Sequence, residues 1–414
     1  MPVRLHRFLH NPPARARQGR LCSGPVHAGR GRRHRHSGLC GPLCRQRTWP
    51  GAVQAMAARR EGAFHNPHPA AGLRCGMSRF ASLAAFEAAL ERLPVADADA
   101  ITAARARQAS LTKPAGSLGR LEDIAVFMAG WQGTAQPVIE QGRAAIFAGN
   151  HGFVVHGVSA FPASVTAAMV GNFAAGGAAI NALAGAAGLD LRVIALDLDR
   201  PTADFTIAAA MDETECLAAL AAGAAVVEPG LHLLVVGEMG IGNSTAAAAL
   251  CARSYGGSPA QWAGPGTGVD AGGIARKVAV VERALAFHAD APDTPFEILR
   301  RLGGREIAGV AGAVLEARRL RIPVVLDGFI SCAALAPLAA AVPAITDHCL
   351  AGHCSAEPGH IRLLEHLGLD PLLSLGMRLG EGSGAALAVS VIRAALATHN
   401  GMATFAQAGV ADGL

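Results

Sequence analysis

The feature that most constrains the fold of this chain is a short apolar run that ends in polar residues, usually with glycine. The unit occurs four times, in AAIFAGNHG, LRVIALDLD, LHLLVVGEMGIGNST and IPVVLDGF. Alanine-rich stretches of helical length lie between these runs, as in VTAAMVGNFAAGGAAINALAGAAG. Continuous apolar strands that alternate with helices predict an α/β fold, with a parallel sheet covered by helices on both faces.

Polar side chains follow each of the four predicted strands. In such sheets ligands bind outside the carboxyl ends of the strands, where loops and helix N-termini converge. One or two polar residues there are ordinary helix caps, whereas a set that recurs at every strand indicates a shared site. The set comprises Asn150, His151, Asp197, Asp199, Glu238 and Asp327.

Two glycine-rich turns suggest a bound phosphate. GEMGIGNSTAAAAL places Gly240 and Gly242 before a helix that opens at Asn243, and free amides at a helix start attract anions. GPGTGVDAGGIARKV places Gly266 and Gly268 before a helix that carries Lys277. Neither turn has dinucleotide or Walker spacing. Each alone is equally typical of an ordinary cap or a solvated lysine, and together they predict a monophosphate or nucleotide ligand.

Residues 1–76 differ in composition from the rest of the 414-residue chain. They hold 14 Arg, no Lys and one acid, a net charge of +13, which leaves −8 for the remainder. They show no apolar period and predict no packed core. A secretory signal would need an apolar run, a transit peptide an amphipathic helix, and a nucleic-acid arm would use Lys as well as Arg. We predict a non-native or disordered leader, a native start at Met77, and full activity after its deletion.

The remaining 77–414 predict one large domain with a smaller appendage. Five cysteines without framework spacing indicate reduced thiols and a cytoplasmic protein. The most membrane-like run, from Ile322, contains Asp327 and two prolines and predicts a buried strand and helix. DHCLAGHCSAEPGH lacks the paired spacing of a zinc site and indicates no metal; Glu357 in it predicts a turn before a helix that starts near His360.

RLGEGSGAA holds one carboxylate, Glu381, before an apolar helical tail. Alone it is a glycine-rich turn that caps a helix. In GVSAFPASVT, Ser159 likewise predicts a loop cap when the motif is taken alone. Together with the strand-end carboxylates and the two phosphate-type turns, Glu381 becomes a candidate for proton transfer.

Six motifs in order resemble one family. They are LTKPAGSLGRLE (111–122), AGNHGFVVHGVSAFPASVT (148–166), GEMGIGNST (237–245), GPGTGVD (264–270), HCSAEPGH (353–360) and RLGEGSGAA (378–386). The sequence from about Arg79 to the C-terminus resembles the nicotinate-nucleotide:dimethylbenzimidazole phosphoribosyltransferases of cobalamin lower-ligand synthesis. The chain departs from the expected pattern at Asn150, at DLD after the second strand and at Cys354.

The resemblance implies a homodimer with a large Rossmann-like domain (about 140–385) and a small helical domain from both chain ends (about 77–139 and 386–414). It implies transfer of phosphoribose from nicotinate mononucleotide to 5,6-dimethylbenzimidazole, with inversion at the anomeric carbon. It implies no metal or other cofactor and no nucleic-acid or membrane partner. The implied catalytic residues are Glu381, the general base, and Glu238, a supporting carboxylate. The implied substrate-binding residues are Ser159, Met239, Gly240, Gly242, Asn243, Gly266, Gly268, Lys277, Ser355, Leu379 and Gly380.

Two alternatives stay open on the residues alone. A nucleotide-binding partner protein of the corrinoid pathway would keep the sheet and phosphate turns without catalysis, and detection of nicotinate release would decide against it. A nicotinamide-dependent dehydrogenase is disfavoured because the glycine spacing does not suit a dinucleotide. The preferred azole base is a matter of pocket shape, which a base-competition assay would decide.

Overall fold

The computed structural model describes residues 79–411, so the predicted leader and the predicted start at Met77 lie outside the described residues. Six parallel strands form one sheet in the order β2-β1-β3-β4-β5-β6. The strands are β1 (Gly142–Ala148), β2 (Leu189–Ala195), β3 (Leu233–Met239), β4 (Val324–Leu326), β5 (Cys349–His353) and β6 (Pro371–Leu373). The strand order reverses between β1 and β3, and in such sheets a crevice for ligands opens at that point.

Fifteen α-helices connect and cover the strands of the described residues. Short 3₁₀ turns add Gly152–His156, Pro259–Gln261 and Pro343–Thr346. The helices are α1 (Leu83–Glu91), α2 (Ala98–Ser110), α3 (Arg120–Gln132), α4 (Ser164–Ala174), α5 (Ala179–Ala187), α6 (Glu213–Ala225), α7 (Asn243–Tyr255), α8 (Ala271–Phe287), α9 (Pro295–Leu302), α10 (Arg305–Arg319), α11 (Phe329–Ala333), α12 (Ala336–Ala341), α13 (Pro358–Leu367), α14 (Ser383–Gly401) and α15 (Phe405–Ala408).

Alternate residues of the buried strands enter two separate apolar cores. Phe147 and Val236 join the core under α6, α7 and α10, whereas Ile146 and Val235 join the core under α3, α5 and α14. All seven residues of β1 are buried. Helices therefore cover both faces of the sheet, which confirms the predicted α/β class and explains the apolar runs of the central strands.

The four predicted strands are present as β1 to β4, whereas β5 and β6 were not predicted. The membrane-like run from Ile322 forms β4 and the buried helices α11 and α12. Strand β5 lies inside the His- and Cys-rich segment, whose His and Cys residues interrupt the apolar pattern expected of a buried strand. Strand β6 has three residues, too few for a periodic signal.

The two ends of the described chain meet. Helix α2 packs on α3, and α3 packs on α14. The guanidinium of Arg107 on α2 donates to the carbonyls of His399 at 2.7 Å and Asn400 at 2.8 Å near the end of α14. This pairing agrees with a helical layer built from both ends, although α14 also packs on β3, β4 and β5. The described residues, 79–411, lie within one compact unit, and the two-domain division stays a prediction.

One described stretch, Ser164–Ala187, is long and apolar enough to cross a membrane by length and composition alone. It consists of α4 with 11 residues and α5 with nine, separated by a turn in which Gly176 has φ +77°. A single span needs about 20 consecutive helical residues. The pair is instead two short helices with many exposed small apolar side chains.

Candidate active site

Glu238 lies near the end of β3, in the crevice where the strand order reverses. The side-chain amide of Asn243, at the start of α7, donates to its carboxylate Oε2. Burial raises the pKa of Glu238 to about 8; the bond from Asn243 opposes this shift, and the nearby carboxylates of Glu306, Asp327 and Glu381 reinforce it. At neutral pH the substrate-free site therefore holds this carboxyl group mainly protonated.

A buried pair of His151 and Glu306 supports the same crevice. His151 Nε2 lies 2.6 Å from Glu306 Oε1, and both side chains are fully buried. Tight glycines make room for the pair. A Cβ at Gly149 would lie 2.5 Å from Glu306 Oε2, and one at Gly304 would lie 2.3 Å from His151 Cε1. His151 was predicted as a strand-end residue, whereas Glu306 was not. The two glycines before α10, in LGGREIAG, were the available signal.

Glu381 lies in a loop of three consecutive left-handed residues. Gly380, Glu381 and Gly382 have φ of +81°, +62° and +73°, and for a residue with a Cβ this conformation is strained. The Glu381 side chain is buried, and burial followed by the nearby charge of Asp327 raises its pKa to about 7. A Cβ at Gly380 would lie 2.9 Å from Glu238 Oε1. The structure therefore brings the two predicted catalytic carboxyl groups to one place.

The two glycine-rich turns meet at Lys277. Its ammonium donates to Ser244 Oγ at 2.9 Å and to the Gly264 carbonyl at 3.0 Å. The side chain is 2% exposed, and burial lowers its pKa, while the charge of Glu357 opposes the shift. Gly266 has φ +58°, and a Cβ there would lie 2.8 Å from the Lys277 Nζ. Lys277 is thus held between the start of α7 and the second turn, with its charge poorly solvated.

Glu357 and Ser355 complete this side of the crevice. Glu357 precedes α13, as predicted for the turn, and its carboxylate packs against Gly264, where a Cβ would lie 2.2 Å from Oε2. Burial raises its pKa, and Lys277 opposes this. Ser355 is buried and lies near Gly328: a Cβ added at Gly328 would lie 3.7 Å from the Cβ of Ser355. These contacts link the lysine to the end of β4.

The residues assigned to the azole pocket are positioned less directly. Ser159 Oγ accepts from the amide of Phe161 at 3.2 Å and closes its own turn, as predicted for the motif alone. Arg276, beside Lys277, donates to the Gly157 carbonyl at 2.9 Å and ties this loop to α8. Met239 is half-buried at the end of β3, and Leu379 is 48% exposed. Their contact with a bound base stays a prediction.

Two histidines of the His- and Cys-rich segment make protein hydrogen bonds. His348 Nε2 lies 3.1 Å from the Val314 carbonyl, and His360 Nδ1 accepts from the Ser355 amide at 3.0 Å. Within residues 79–411, no group of three or more His, Cys, Asp or Glu side chains has a geometry that could hold a metal ion.

At Asn150, where the sequence departs from the expected family pattern, the side-chain amide donates to the Leu198 carbonyl at 2.9 Å and joins two strand-end loops.

The motif at 111–122 lies apart from the strand ends. It helps to form a cavity of about 470 Å³ between α2 and α3, with Lys113 and Trp131 in its lining. Lys113 is almost fully buried and pairs with Glu122 at 2.8 Å. None of the strand-end residues lines this cavity. The motif therefore matches the family pattern, but within this chain its cavity is separate from the candidate site at the strand ends.

The parallel sheet, with buried carboxyl groups and a buried lysine at its strand ends, places the chain among α/β proteins whose ligand crevice lies at that edge of the sheet. A family model described as phosphoribosyltransferase matches residues 93–410. The nicotinate-nucleotide–dimethylbenzimidazole phosphoribosyltransferase of Ruegeria sp. (strain TM1040) is 58% identical over 332 residues, 80% of this chain and 98% of that protein. The enzyme of the same name from Rhizobium etli (strain ATCC 51251) is 57% identical over 325 residues, 78% and 96% of the two chains.

A solved structure agrees with these relatives. The crystal structure of CobT from Thermus thermophilus superposes with a TM-score of 0.71 and 41% identity, covering 76% of this chain and 100% of that one. The chain therefore belongs to the nicotinate-nucleotide–dimethylbenzimidazole phosphoribosyltransferase family, which confirms the predicted resemblance.

Proposed function

We propose that this chain transfers phosphoribose from nicotinate mononucleotide to 5,6-dimethylbenzimidazole, giving α-ribazole 5′-phosphate and nicotinate with inversion at the anomeric carbon. The observation that carries the proposal is the buried Glu381, which lies close to a second buried carboxyl group, Glu238. Burial and the charge of Asp327 raise the pKa of Glu381 to about 7. Family membership supports the substrate pair, since the relatives bear that name.

The reaction requires one proton acceptor. The bond between the anomeric carbon and the pyridinium nitrogen breaks, and its electron pair stays on the departing nitrogen. One azole nitrogen forms the new bond to that carbon from the opposite face. The proton on the other azole nitrogen goes to Glu381, which prevents a cationic azole from building up and later releases the proton to water. General-base help of this kind is worth about 10²- to 10⁴-fold in rate.

Burial adapts Glu381 to this role. A carboxylate in water has a pKa of about 4.3 and is a weak base. With a pKa of about 7, Glu381 is a stronger base and still substantially ionised at neutral pH. Glu238, with a pKa of about 8, is the more protonated of the two. A pyridinium nucleotide brings a positive charge to this crevice, which favours ionised Glu238 near the ribose and the developing cationic charge.

The nucleotide 5′-phosphate has a site in the turns around Lys277. Helix α7 begins at Asn243, next to Lys277 and Ser244, and the partial positive charge of a helix N-terminus favours an anion. The Gly264 to Gly268 turn brings backbone close to Lys277. A phosphate restores to the buried ammonium the charge stabilisation that burial removes. Gly240, Gly266, Gly268 and Ser355 complete the proposed phosphate and ribose contacts.

The azole base is proposed to lie between the Ser159 loop and the loop before Glu381. Leu379 and Met239 supply apolar surface, and Gly380 lets a flat ring approach Glu381 because it has no side chain. The exposed fraction of Leu379, 48%, suits a side chain that a substrate covers.

The proposal includes a cytoplasmic homodimer. The exposed small apolar side chains of α4 and α5 support a subunit contact, because contiguous apolar surface tends to be buried in assemblies. Light scattering after size-exclusion chromatography should give twice the chain mass, and a monomer at micromolar concentration would contradict the dimer.

Incubation of the purified protein with both substrates tests the function. Liquid chromatography with mass spectrometry should detect nicotinate and α-ribazole phosphate in equal amounts, with the α anomer assigned by NMR. A protein that binds the nucleotide without catalysis would release no nicotinate, and that result would contradict the proposal. Competition between azole bases in the same assay gives the acceptor preference.

A further inference from the structure

The loop that carries Glu381 is fastened to the protein through one buried side chain at the end of β4. Asp327 Oδ2 accepts from the Gly382 amide at 3.1 Å, and its Oδ1 accepts from the Ala385 amide at 2.9 Å. Gly382 directly follows Glu381, and Ala385 lies in the first turn of α14. Asp327, directly after β4, therefore caps helix α14 from a distant part of the chain, and the N-cap residue Gly382 has no side chain that could do so.

We propose that Asp327 is the positioning residue of Glu381, holding the base in its left-handed conformation and presenting a second carboxyl group to it. Asp327 is buried, and both of its carboxylate oxygens accept hydrogen bonds from amides beside Glu381, so we assign it a role that acts through Glu381. The proposal deepens the proposed function and rests on it, since it assigns the control of the same general base.

The role of Asp327 in holding the conformation of Glu381 follows from the backbone of the loop. Three successive left-handed residues require an external restraint when one of them has a Cβ. The Gly382 amide points at Asp327, so the peptide after Glu381 cannot rotate without breaking that hydrogen bond. The close approach of β3 adds a second constraint, since a Cβ at Gly237 would lie 2.3 Å from the Gly382 nitrogen. The backbone that carries Glu381 is thereby restrained before any substrate binds, as preorganisation requires.

His353 completes the surroundings of Asp327. Its Nε2 lies 3.6 Å from Asp327 Oδ1, and both side chains are almost fully buried. The ring packs on the start of α14, where a Cβ at Gly384 would lie 2.1 Å from its Cδ2. The backbone amides and His353 thus compensate a buried carboxylate that would otherwise be costly.

The electrostatic part follows from the charges around Glu381. Burial and the negative charge of Asp327 both raise its pKa. A neutral residue at position 327 removes only the second cause, so the pKa of Glu381 should fall and the base should stay ionised to lower pH. The ionisable groups around Glu381 and Asp327 are Glu238 on β3 and His353 on β5, and Glu306 on α10 acts on Glu238. Arg378, in the same loop, donates to the Gly266 carbonyl and acts on Glu357 instead.

Asp327→Asn tests the proposal because the amide has nearly the same shape without the charge. We expect kcat to fall about 10- to 100-fold while the KM for nicotinate mononucleotide changes less than about twofold, since the Lys277 turns are untouched. The acid limb of kcat/KM should move to lower pH by about half a unit or more. Asp97→Asn is the matched control, because Asp97 caps α2 through the Ala100 amide at 2.9 Å and should change neither value.

Two measurements do not depend on turnover. Infrared difference spectra between each protein and its Glu381→Gln form report the carboxyl protonation of Glu381, which should shift to lower pH in Asp327→Asn. In the unmodified protein, hydrogen exchange should be strongly slowed at the Gly382 and Ala385 amides, so the proposal is tested even if the variant does not fold. Fast exchange there would overturn it.

The outcomes separate the two proposals. Absence of nicotinate release by the unmodified protein contradicts the function, while the infrared and exchange results still decide the role of Asp327. A variant with lower kcat and unchanged acid limb and infrared pKa would make Asp327 a purely structural residue and overturn the positioning role. So would a variant with the unmodified protein's rate and pH profile.

Discussion

Replacing Lys277 by methionine tests the phosphate site. The ammonium donates to Ser244 and Gly264 with only 2% of the residue exposed, so a phosphate at these turns would meet a poorly solvated charge. A charge-assisted hydrogen bond contributes about 1.5–3 kcal/mol, and a buried charge pair up to about 5 kcal/mol. The nucleotide affinity of Lys277→Met should therefore fall by about 10- to 4000-fold, since each 1.4 kcal/mol is tenfold.

The stability of the same variant should move differently. Burial lowers the pKa of Lys277, which means that the unliganded fold carries a cost for its charge. Methionine removes that cost and leaves only the Ser244 hydroxyl and the Gly264 carbonyl without their donor. We expect the melting temperature without nucleotide to change by no more than about 2 °C, equivalent to roughly 1 kcal/mol in a chain of this size. Isothermal titration with nicotinate mononucleotide and thermal unfolding measure the two effects.

Arg283→Met on the same helix is the control, because Arg283 is exposed and two turns away. It should leave the affinity unchanged. If Lys277→Met binds the nucleotide within about threefold of the unmodified protein, at an affinity change below roughly 0.7 kcal/mol, the turns around Lys277 do not hold the phosphate. Inorganic phosphate should inhibit nucleotide binding to the unmodified protein. It should inhibit nucleotide binding to Lys277→Met much less.

Three further predictions concern the carboxyl groups and the loop. Because Glu381 must be ionised to accept a proton and its pKa is raised to about 7, kcat/KM should decline as pH falls through about 7; a flat profile from pH 5.5 to 8 would contradict this. Gly237→Ala should lower stability by about 1–3 kcal/mol and slow turnover, because its Cβ would lie 2.3 Å from backbone of the Glu381 loop, whereas Gly171→Ala has open space and should do neither in chemical unfolding. Glu306→Met should cost about 1–3 kcal/mol by leaving His151 Nε2 without its partner, and unchanged unfolding would show that the pair is dispensable.

The sequence predicted the sheet and the strand-end cluster because both depend on local patterns. Apolar runs with polar ends predicted β1 to β4, and the glycine turns predicted the region of Lys277. The role of Asp327 at the end of β4 was predicted only as membership of a strand-end set. Its bonds to the Gly382 and Ala385 amides join residues more than 50 positions apart, and no local period encodes such a pairing.

Glu306 shows the limit more sharply. It lies on a helix whose letters are compatible with an ordinary solvent-facing acid, yet it is fully buried against His151, 155 positions earlier. Only the packing of α10 over β1 and β3 decides this, together with Gly149 and Gly304, which leave room for the pair. Strand β5 was missed for a related reason, since its buried His353 and Cys349 counted as polar letters.

The most direct test of the central claim compares Glu381→Gln with the unmodified protein in single-turnover reactions. The matched control is Glu365→Gln, at an exposed position on α13. The account predicts that Glu381→Gln forms α-ribazole phosphate about 10²- to 10⁴-fold more slowly while the Kd for nicotinate mononucleotide stays within about threefold, under roughly 0.7 kcal/mol. A Glu381→Gln rate within threefold of the unmodified protein would contradict the assignment of Glu381 as the base.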